Sequence, residues 1–429
     1  MAESKETGAE SRMQHTIETK VVPALNKITS NYWFSLVADA VLIIVPFSMV
    51  SAVPSLWSVL RKFLFPALPD LTPITTYSFG LIGLFVSFII PYNCMVKEER
   101  KERSLIAGFT GLGTFMMCMN AQTTDAGVVF TMARFGAGGM FTAMFLGLMV
   151  AWIYKRFATH SFFSEDSLIP DFVRNWFDNI IAILISLFIG WVLTFLANVD
   201  VFGLVTYIMS PLTYFAQTLP GVIFMTFIMD FFYFFGVSGW VFTPVTRTIQ
   251  QMGMAENMAA VEAGAAATNI NAYGFTRYTM IGGEGATLPL AFYLAFLSKS
   301  KKNKLVGKAT FVPVLFNINE PIWFSTVVDN PYMLVPVILE SIILPANAWI
   351  WQHFGWAGCH FVNFDANQLP TAVSAFFMSG GNWGNVVLVL VNLALAAIIW
   401  FPFFKAYDKH QCEVEAQEEA ELEAEKAAE

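Results

Sequence analysis

The segment FNINEPIWF, residues 316–324, places polar and ionisable side chains within an apolar part of the chain. Asn317 and Asn319 offer hydrogen-bond donors and acceptors, and Glu320 offers a carboxylate that can also accept a proton. Pro321 disfavours helical backbone at Glu320, so the segment is predicted to be a helix end or turn. A carboxylate in the middle of a membrane costs about 3 kcal/mol or more, which favours a functional role. The alternative is a capped hairpin tip whose polar groups satisfy only their own backbone.

The composition shows what surrounds this segment. The chain has 429 residues, of which 56% are hydrophobic and 13% are charged, and it contains 43 Phe. This is too much apolar surface for a soluble core. Apolar stretches of about 20 residues, enough to cross a bilayer as a helix, recur from Trp33 to Phe404. The sequence therefore predicts an all-α polytopic membrane protein embedded in a lipid bilayer, with its first apolar segment retained rather than cleaved.

Most of the net charge of −8 comes from the C-terminal tail. Residues 413–429 hold eight Glu and one Lys, so residues 411–429 are predicted to be a solvated, acidic cytoplasmic tail, helical or disordered. The membrane body is then close to neutral, which excludes a basic nucleic-acid surface. Neither a disulfide framework nor a metal site is predicted, because the cysteines lack CxxC or zinc spacing; they are Cys94, Cys118, Cys359 and Cys412. No cofactor is expected.

The distribution of Lys and Arg predicts the orientation. Residues 1–30 are predicted to be a cytoplasmic N-terminus with an interfacial amphipathic helix over 16–30. Basic clusters at 97–103, 155–156, 299–304 and 405–409 are expected in cytoplasmic loops, which places both termini in the cytoplasm. The clearest spans are predicted at about 32–58, 73–93, 105–121, 126–154 and 178–198.

The second half of the chain is less regular. A first interrupted region, from Val201 to Lys299, is broken by Ser238-Gly239-Trp240, by a weakly hydrophobic stretch at 250–271 and by Gly282–Gly285, and FNINEP forms a second interruption. Broken segments at membrane depth are tolerated where protein or a water-filled cavity satisfies their backbone. Two such interruptions in one half predict a substrate site there.

Several motifs resemble those of one family. FNINEP followed by Asn330-Pro331 is similar to the signature of the membrane component IIC of the bacterial sugar phosphotransferase system (PTS), in its lactose/cellobiose/diacetylchitobiose family. Further similar segments occur in the family's order along residues 14–410; they are GAGGMFTA (136–143), LIPDFVRNWFDNIIAIL (168–184), FFGVSG (234–239), IGGEGATL (281–288) and PFFKAYD (402–408).

The resemblance implies an architecture. It implies about ten transmembrane helices plus two re-entrant hairpins, with a scaffold and dimerisation domain over 31–200 and a sugar-binding transport domain over 201–410. It also implies a homodimer in the bacterial cell membrane. The transport domain would move a β-linked disaccharide or oligosaccharide across the membrane. A separate cytosolic IIB protein, itself phosphorylated by IIA, would transfer a phosphoryl group from its cysteine to the sugar. Whether the chain counts as an enzyme is left open, since the phosphoryl donor lies on IIB.

The resemblance also suggests residue roles. Glu320 matches the acid that hydrogen-bonds the reacting hydroxyl, and such an acid can act as a general base. The predicted substrate-binding residues lie in the interrupted segments and in the 363–370 loop; they are Asn317, Asn319, Glu320, Ser238, Gly283, Glu284, Gly285, Asn367 and Gln368. Trp356 and Trp383 could stack on a sugar or anchor at the membrane interface.

Some positions depart from the family pattern. Ser238 stands where the family has a histidine, and Glu284 stands where Ser or Thr is common. Glu284 could compensate for the lost histidine, or both changes could be drift or specificity changes. Asp39 and Asp230 are interpreted as structural acids.

Two other functions stay open at this point. One is a IIC-like sugar receptor or uncoupled facilitator that carries out no phosphoryl transfer, which Ser238 favours and in which the acidic tail could dock a partner. The other is an ion-coupled transporter in which Asp230 or Glu320 binds a proton.

Overall fold

The computed structural model describes residues 31–50, 53–54, 57, 61, 65–125, 127–158, 161, 163, 170–236, 242–363 and 369–428. In this part of the chain the structure is almost entirely helical, which confirms the predicted all-α class. The principal helices run in the order α1 Tyr32–Ile43, α2 Val45–Val50, α3 Thr72–Tyr77, α4 Ile82–Lys97, α5 Lys101–Met117, α6 Met140–Phe157, α7 Asp171–Trp191, α8 Val201–Gln217, α9 Leu219–Phe234, α10 Thr243–Glu262, α11 Leu288–Phe292, α12 Lys301–Leu315, α13 Glu320–Ile322, α14 Pro331–His353, α15 Thr371–Met378 and α16 Trp383–Ala428.

The described chain contains five helices long and apolar enough to cross a membrane, or six if α8 and α9 together form one span. The predicted count of about ten spans is not confirmed. Span 73–93 corresponds to the apolar helical segment Thr72–Lys97, which is interrupted by a turn at Ser78 and a 3₁₀ turn before α4, and span 178–198 corresponds to Val173–Leu196. The helix in the region predicted as 105–121 is α5, whose 17 residues are short for a crossing.

The predicted span 126–154 is wrong at its start. The chain first forms a short antiparallel hairpin between strands β1 Gln122–Thr124 and β2 Gly127–Val129. Two 3₁₀ turns follow, Met132–Arg134 and Ala137–Gly139, and the α-helix begins only at Met140. Glycines in this stretch weaken helix formation, because glycine loses more conformational freedom than other residues when it is fixed. The predicted interfacial helix over 16–30 lies outside the described residues.

Packing divides the chain into two compact units. The first comprises Lys27–Phe215 and Thr243–Ala255, and the second comprises Ala216–Phe242 and Glu256–Glu429. In the first unit α4 packs closely on α5 through small residues: a Cβ at Gly111 would lie 2.2 Å from the Ser87 carbonyl oxygen. Helices in membranes approach closely through such positions.

Ion pairs connect charged side chains within the first unit. Arg103 donates to Asp178 at 3.0 Å with both side chains almost fully buried, and Lys97 pairs with Asp39 at 2.7 Å. A paired acid near a helix end is the structural role predicted for Asp39.

A bidentate pair joins the turn before α6 to the start of α8. Arg134 donates to the two carboxylate oxygens of Asp200 at 2.7 and 2.9 Å, and Asp200 also accepts from the Gly203 backbone N–H. The hydrogen bonds from Arg134 lower the pKa of the Asp200 carboxyl. Because the folded-state pKa lies below the usual value of about 4, the pair stabilises the fold at neutral pH, and this contribution is lost as the pH falls through the folded-state pKa.

Asp200→Asn is therefore expected to lower the thermal stability at neutral pH and to reduce its loss on acidification. The expected cost at neutral pH is about 1 kcal/mol or less, since the pair is partly exposed. Asn keeps the capping oxygen, so the variant isolates the charge. Thermal unfolding in detergent between about pH 7 and about pH 2 checks this. The control is Asp125→Asn at an exposed carboxylate. An Asp200→Asn variant with the pH dependence of the unchanged protein would contradict the assignment.

The second unit is organised around helices α9, α14 and α16. Thr218 caps α9 by accepting from the Gly221 N–H at 3.2 Å, and Asn330 caps α14 by accepting from the Tyr332 N–H at 3.1 Å. A proline follows each cap in the first turn of the helix. Because proline has no backbone N–H, it leaves no donor without a partner at that position. Buried Trp323 and Trp400 are the largest side chains of this core.

The acidic tail continues α16, and its first turns are bound to the 298–303 loop. Asp408 accepts from the Lys299 N–H at 2.7 Å. Glu415 accepts from the Lys301 and Lys302 N–H groups at 3.0 and 2.8 Å. These carboxylates satisfy amides at the start of α12, where negative charge is favourable. Composition predicted a solvated tail, and did not predict this attachment.

Candidate functional site

The glycine-rich segment 281–288 adopts a backbone that requires glycine. Gly283 has φ of 104° and Gly285 has φ of 63°, values in the left-handed region where a side chain is strained. Space is also lacking: a Cβ at Gly283 would lie 2.2 Å from Asn319 Cγ, and one at Gly285 would lie 2.7 Å from Trp323 Cζ3. The glycines therefore let the FNINEP segment approach this backbone closely.

Two asparagines of FNINEP join the segments. The Asn317 side-chain oxygen accepts from the Gly282 N–H at 3.0 Å, and its amide donates to the Leu369 carbonyl at 2.8 Å. The Asn319 amide donates to the Glu284 carbonyl at 2.8 Å and to Thr287 Oγ1 at 3.0 Å. Asn319 is 3% exposed. Each asparagine thus fixes the position of its own segment against the glycine-rich one.

Aromatic side chains support this pair of segments from the core. Trp323 stacks on Tyr233 with ring centroids 4.7 Å apart, and its indole N–H donates to the Tyr233 carbonyl at 3.0 Å. The Trp400 indole N–H donates to the Gly285 carbonyl at 3.2 Å. Buried Trp with its N–H satisfied gives large apolar contact at fixed orientation. The two segments therefore rest on a rigid base formed by α9, α16 and the turn after α13.

Glu320 begins the short helix α13 at the end of this arrangement. Its side chain is exposed, although Asn319 and Ile322 beside it are buried. Its carboxylate interacts electrostatically with Glu284 and with the Tyr233 hydroxyl. An exposed carboxylate on a rigid base can accept a hydrogen bond or a proton from a hydroxyl group that approaches it.

Further acids lie behind this site. Asp230, on α9, is 3% exposed and shares a side-chain hydrogen bond with Glu284. Glu340, in the middle of α14, is 1% exposed and interacts electrostatically with Asp230. Arg277 lies near enough to interact with Glu284. The burial of Asp230 agrees with its predicted place against protein.

The structure brings together six of the predicted site residues. These are Asn317, Asn319, Glu320, Gly283, Glu284 and Gly285. The other three, Ser238, Asn367 and Gln368, lie outside the described residues, so their roles stay predictions. Trp356 and Trp383 are exposed at helix ends.

Two features of this unit escaped sequence reasoning. One is the presence of Glu340, which interacts with Asp230, and of Arg277, which interacts with Glu284. A lone acid within the apolar run of α14 was the available signal for Glu340. The other is a buried network in which His360 Nε2 lies 2.6 Å from the Tyr278 hydroxyl and the Asn385 amide contacts the same hydroxyl. His360 is bound also through its carbonyl, which accepts from Asn257 at 2.8 Å. Residues so far apart in sequence carry no local pattern.

Apolar helices interrupted by polar segments that meet inside one unit are typical of polytopic membrane transport proteins. The family model described as "Phosphotransferase system, EIIC" matches residues 13–341. The chain therefore belongs to this family: it is a membrane-embedded IIC permease component of bacterial PTS sugar transport. Membership implies a sugar as substrate and a IIB protein as partner.

Relatives cover nearly the whole chain. The oligo-beta-mannoside-specific EIIC component of Bacillus subtilis is 25% identical over 92% of this chain and 94% of its own length. The lactose-specific EIICB component of Staphylococcus epidermidis is 24% identical over 92% of this chain and 70% of its own length. The solved structure of ChbC, the IIC component from the N,N'-diacetylchitobiose-specific system, superposes with a TM-score of 0.83 at 22% identity, covering 93% of this chain and 99% of that one. This similarity supports the fold.

Proposed function

We propose that the chain binds a β-linked disaccharide or oligosaccharide at the Glu320 site and carries it across the membrane, while a separate phosphorylated IIB protein phosphorylates it. The relatives' names support the sugar class, because they specify lactose, oligo-beta-mannoside and N,N'-diacetylchitobiose. The second unit would act as the transport domain. Both termini would lie in the cytoplasm, and the chain would form a homodimer.

One observation carries this proposal: an exposed carboxylate is held on a rigid base of asparagine and tryptophan contacts. The base fixes Glu320 next to the buried glycine-rich segment, against which Asn319 and Trp323 pack closely. A sugar presents several hydroxyl groups, each of which donates and accepts. A buried amide such as Asn319 would not move to bind the sugar, so its role is to position Glu320 and Glu284.

In the proposed reaction Glu320 acts as general base. As the sugar oxygen attacks phosphorus, the carboxylate takes the hydroxyl proton, the new O–P bond forms, and the S–P bond to the IIB cysteine breaks with its electron pair going to sulfur. Proton transfer by a positioned side chain contributes about 10²–10⁴-fold to a rate. The product gains negative charge, which opposes its return through an apolar membrane.

In the direct test, the purified chain is reconstituted in lipid vesicles and mixed with phosphorylated IIB protein and a panel of β-linked disaccharides. We expect a sugar phosphate to form with at least one sugar that also binds. Binding without product for every sugar would overturn the coupled mechanism. Counterflow of labelled sugar in the absence of IIB would then indicate an uncoupled facilitator, and binding without any flux would indicate a receptor.

A further inference from the structure

The acids behind Glu320 are arranged in a way that sugar binding does not explain. Asp230 and Glu340 lie on the packed helices α9 and α14 and are 3% and 1% exposed. Glu284 connects them to the site, since it shares a hydrogen bond with Asp230 and interacts with Glu320. Two carboxylates in hydrogen-bonding contact inside a protein cannot both stay ionised, because like charges there repel strongly. One proton is therefore held between Asp230 and Glu284.

Glu340 gives independent evidence that the cluster binds protons. Both of its carboxylate oxygens are buried and make no hydrogen bond within the part of the chain that the structure describes. A buried charge without a partner costs far more than the fold can offset, so such a group becomes neutral. Its carboxyl interacts electrostatically with Asp230 of the acid pair. The described residues contain no group of three His, Cys, Asp or Glu side chains placed to hold a metal ion.

The charges of the cluster balance with two protons. Asp230, Glu284 and Glu340 would carry three negative charges if all were ionised, and Arg277 beside Glu284 supplies one positive charge. One proton between Asp230 and Glu284 and a second on Glu340 leave a single negative charge opposite Arg277. Among the described residues, Glu320 and Tyr233 are further titratable groups that interact electrostatically with Glu284.

We propose that Asp230, Glu284 and Glu340 form a proton-binding site inside the second unit, behind the sugar site, which holds two protons at neutral pH. The site stands on burial and contact geometry and does not depend on the proposed sugar chemistry. It separates two roles among the acids of this unit. Glu320 is exposed and available for reaction, whereas the three inner carboxyls store protons next to it.

Infrared spectroscopy of the full chain in phospholipid nanodiscs tests the site, because protonated carboxyl groups absorb apart from carboxylates and shift on deuteration. We expect the unchanged protein to show this band at neutral pH. Glu340→Gln, which mimics a protonated acid in shape and charge, should lose about half of the cluster's band. Asp230→Asn should remove a comparable part. Glu262→Gln, at an exposed glutamate of the same unit, should leave the band unchanged.

Equal bands in the Glu340→Gln, Asp230→Asn and unchanged proteins would overturn the proposal. If one variant fails to fold, the other still decides it. Addition of sodium ions to a sodium-free sample tests the competing occupant: a change in the carboxylate bands that Glu340→Gln abolishes would show a metal ion in place of the protons and would also overturn the proposal.

A second measurement links the site to sugar and rests on the proposed function. Glu284 and Glu320 interact electrostatically. A sugar hydroxyl bound at Glu320 should therefore change the number of protons bound by Asp230, Glu284 and Glu340. Calorimetric titration of sugar in buffers with different ionisation enthalpies should show proton exchange that Glu340→Gln and Asp230→Asn reduce. Exchange equal to that of the unchanged protein would refute this link, while complete absence of sugar binding would count against the proposed function and leave the infrared result standing.

Discussion

Glu320→Gln is expected to abolish sugar phosphorylation while sugar still binds. The amide keeps the shape and can hydrogen-bond a hydroxyl, but it cannot accept the proton. Loss of a general base costs about 10²–10⁴-fold in rate, which would bring the product close to the background. Folding should be preserved because the side chain is exposed. Rates of sugar-phosphate formation with phosphorylated IIB, together with equilibrium binding of the same sugar, measure both parts.

The matched control for this experiment is Glu262→Gln. It makes the same chemical change at an exposed position of the same unit and should leave the rate unchanged. Should Glu320→Gln phosphorylate sugar at the rate of the control, Glu320 is not the base, and another group must accept the hydroxyl proton. A variant that loses binding as well as rate would instead assign Glu320 to recognition of the sugar.

Gly283→Ala is expected to lose sugar binding and to destabilise the second unit. A Cβ there would lie 2.2 Å from Asn319 Cγ, and φ of 104° is unfavourable for alanine. Left-handed backbone costs about 1–2 kcal/mol, and overpacking a tight core adds about 1–3 kcal/mol. Asn319 would be pushed from its bonds to Glu284 and Thr287, and the Glu320 segment would lose its fixed position. Thermal unfolding and sugar binding measure the two consequences.

Gly264→Ala separates the two causes. Gly264 also has positive φ, 80°, but a Cβ there would meet no atom of the described residues within 4 Å. It should therefore lose only the conformational part, about 1–2 kcal/mol, and retain sugar binding. If Gly283→Ala and Gly264→Ala behave alike, the contact with Asn319 does not position the site.

The part of the site that sequence reasoning could predict is the part with local chemical signals. A Glu next to Pro in an apolar stretch and three nearby glycines stand out without coordinates, and the structure places these segments together through Asn317 and Asn319. Glu340 belongs to no recognisable sequence motif, and its proposed role depends on its interaction with Asp230, which lies on another helix. Such contacts between distant residues are visible only after the chain has folded.

Helix positions were predictable where hydrophobicity alone decides them. The segments at 73–93 and 178–198 have long apolar runs, and the structure is helical over most of both. The start of the 126–154 segment failed because its apolar residues form a β-hairpin and turns around glycines, which hydrophobicity does not distinguish from helix. The charge of the tail predicted contact with water, and most of its described residues are exposed. Charge gave no sign that Glu415 accepts hydrogen bonds from the amides at the start of α12.

The length of α16 has a mechanical consequence. Its 46 residues form one helix, about 69 Å long at 1.5 Å per residue, whereas the hydrocarbon core of a bilayer is about 30 Å thick. The same helix supports the glycine-rich segment through Trp400 and binds the 298–303 loop through Asp408 and Glu415. It can therefore work as a lever arm: a tilt of about 10° at one end would displace the other by about 12 Å. If sugar binds as proposed, a small rearrangement at the glycine-rich segment would become a larger movement at the far end of α16.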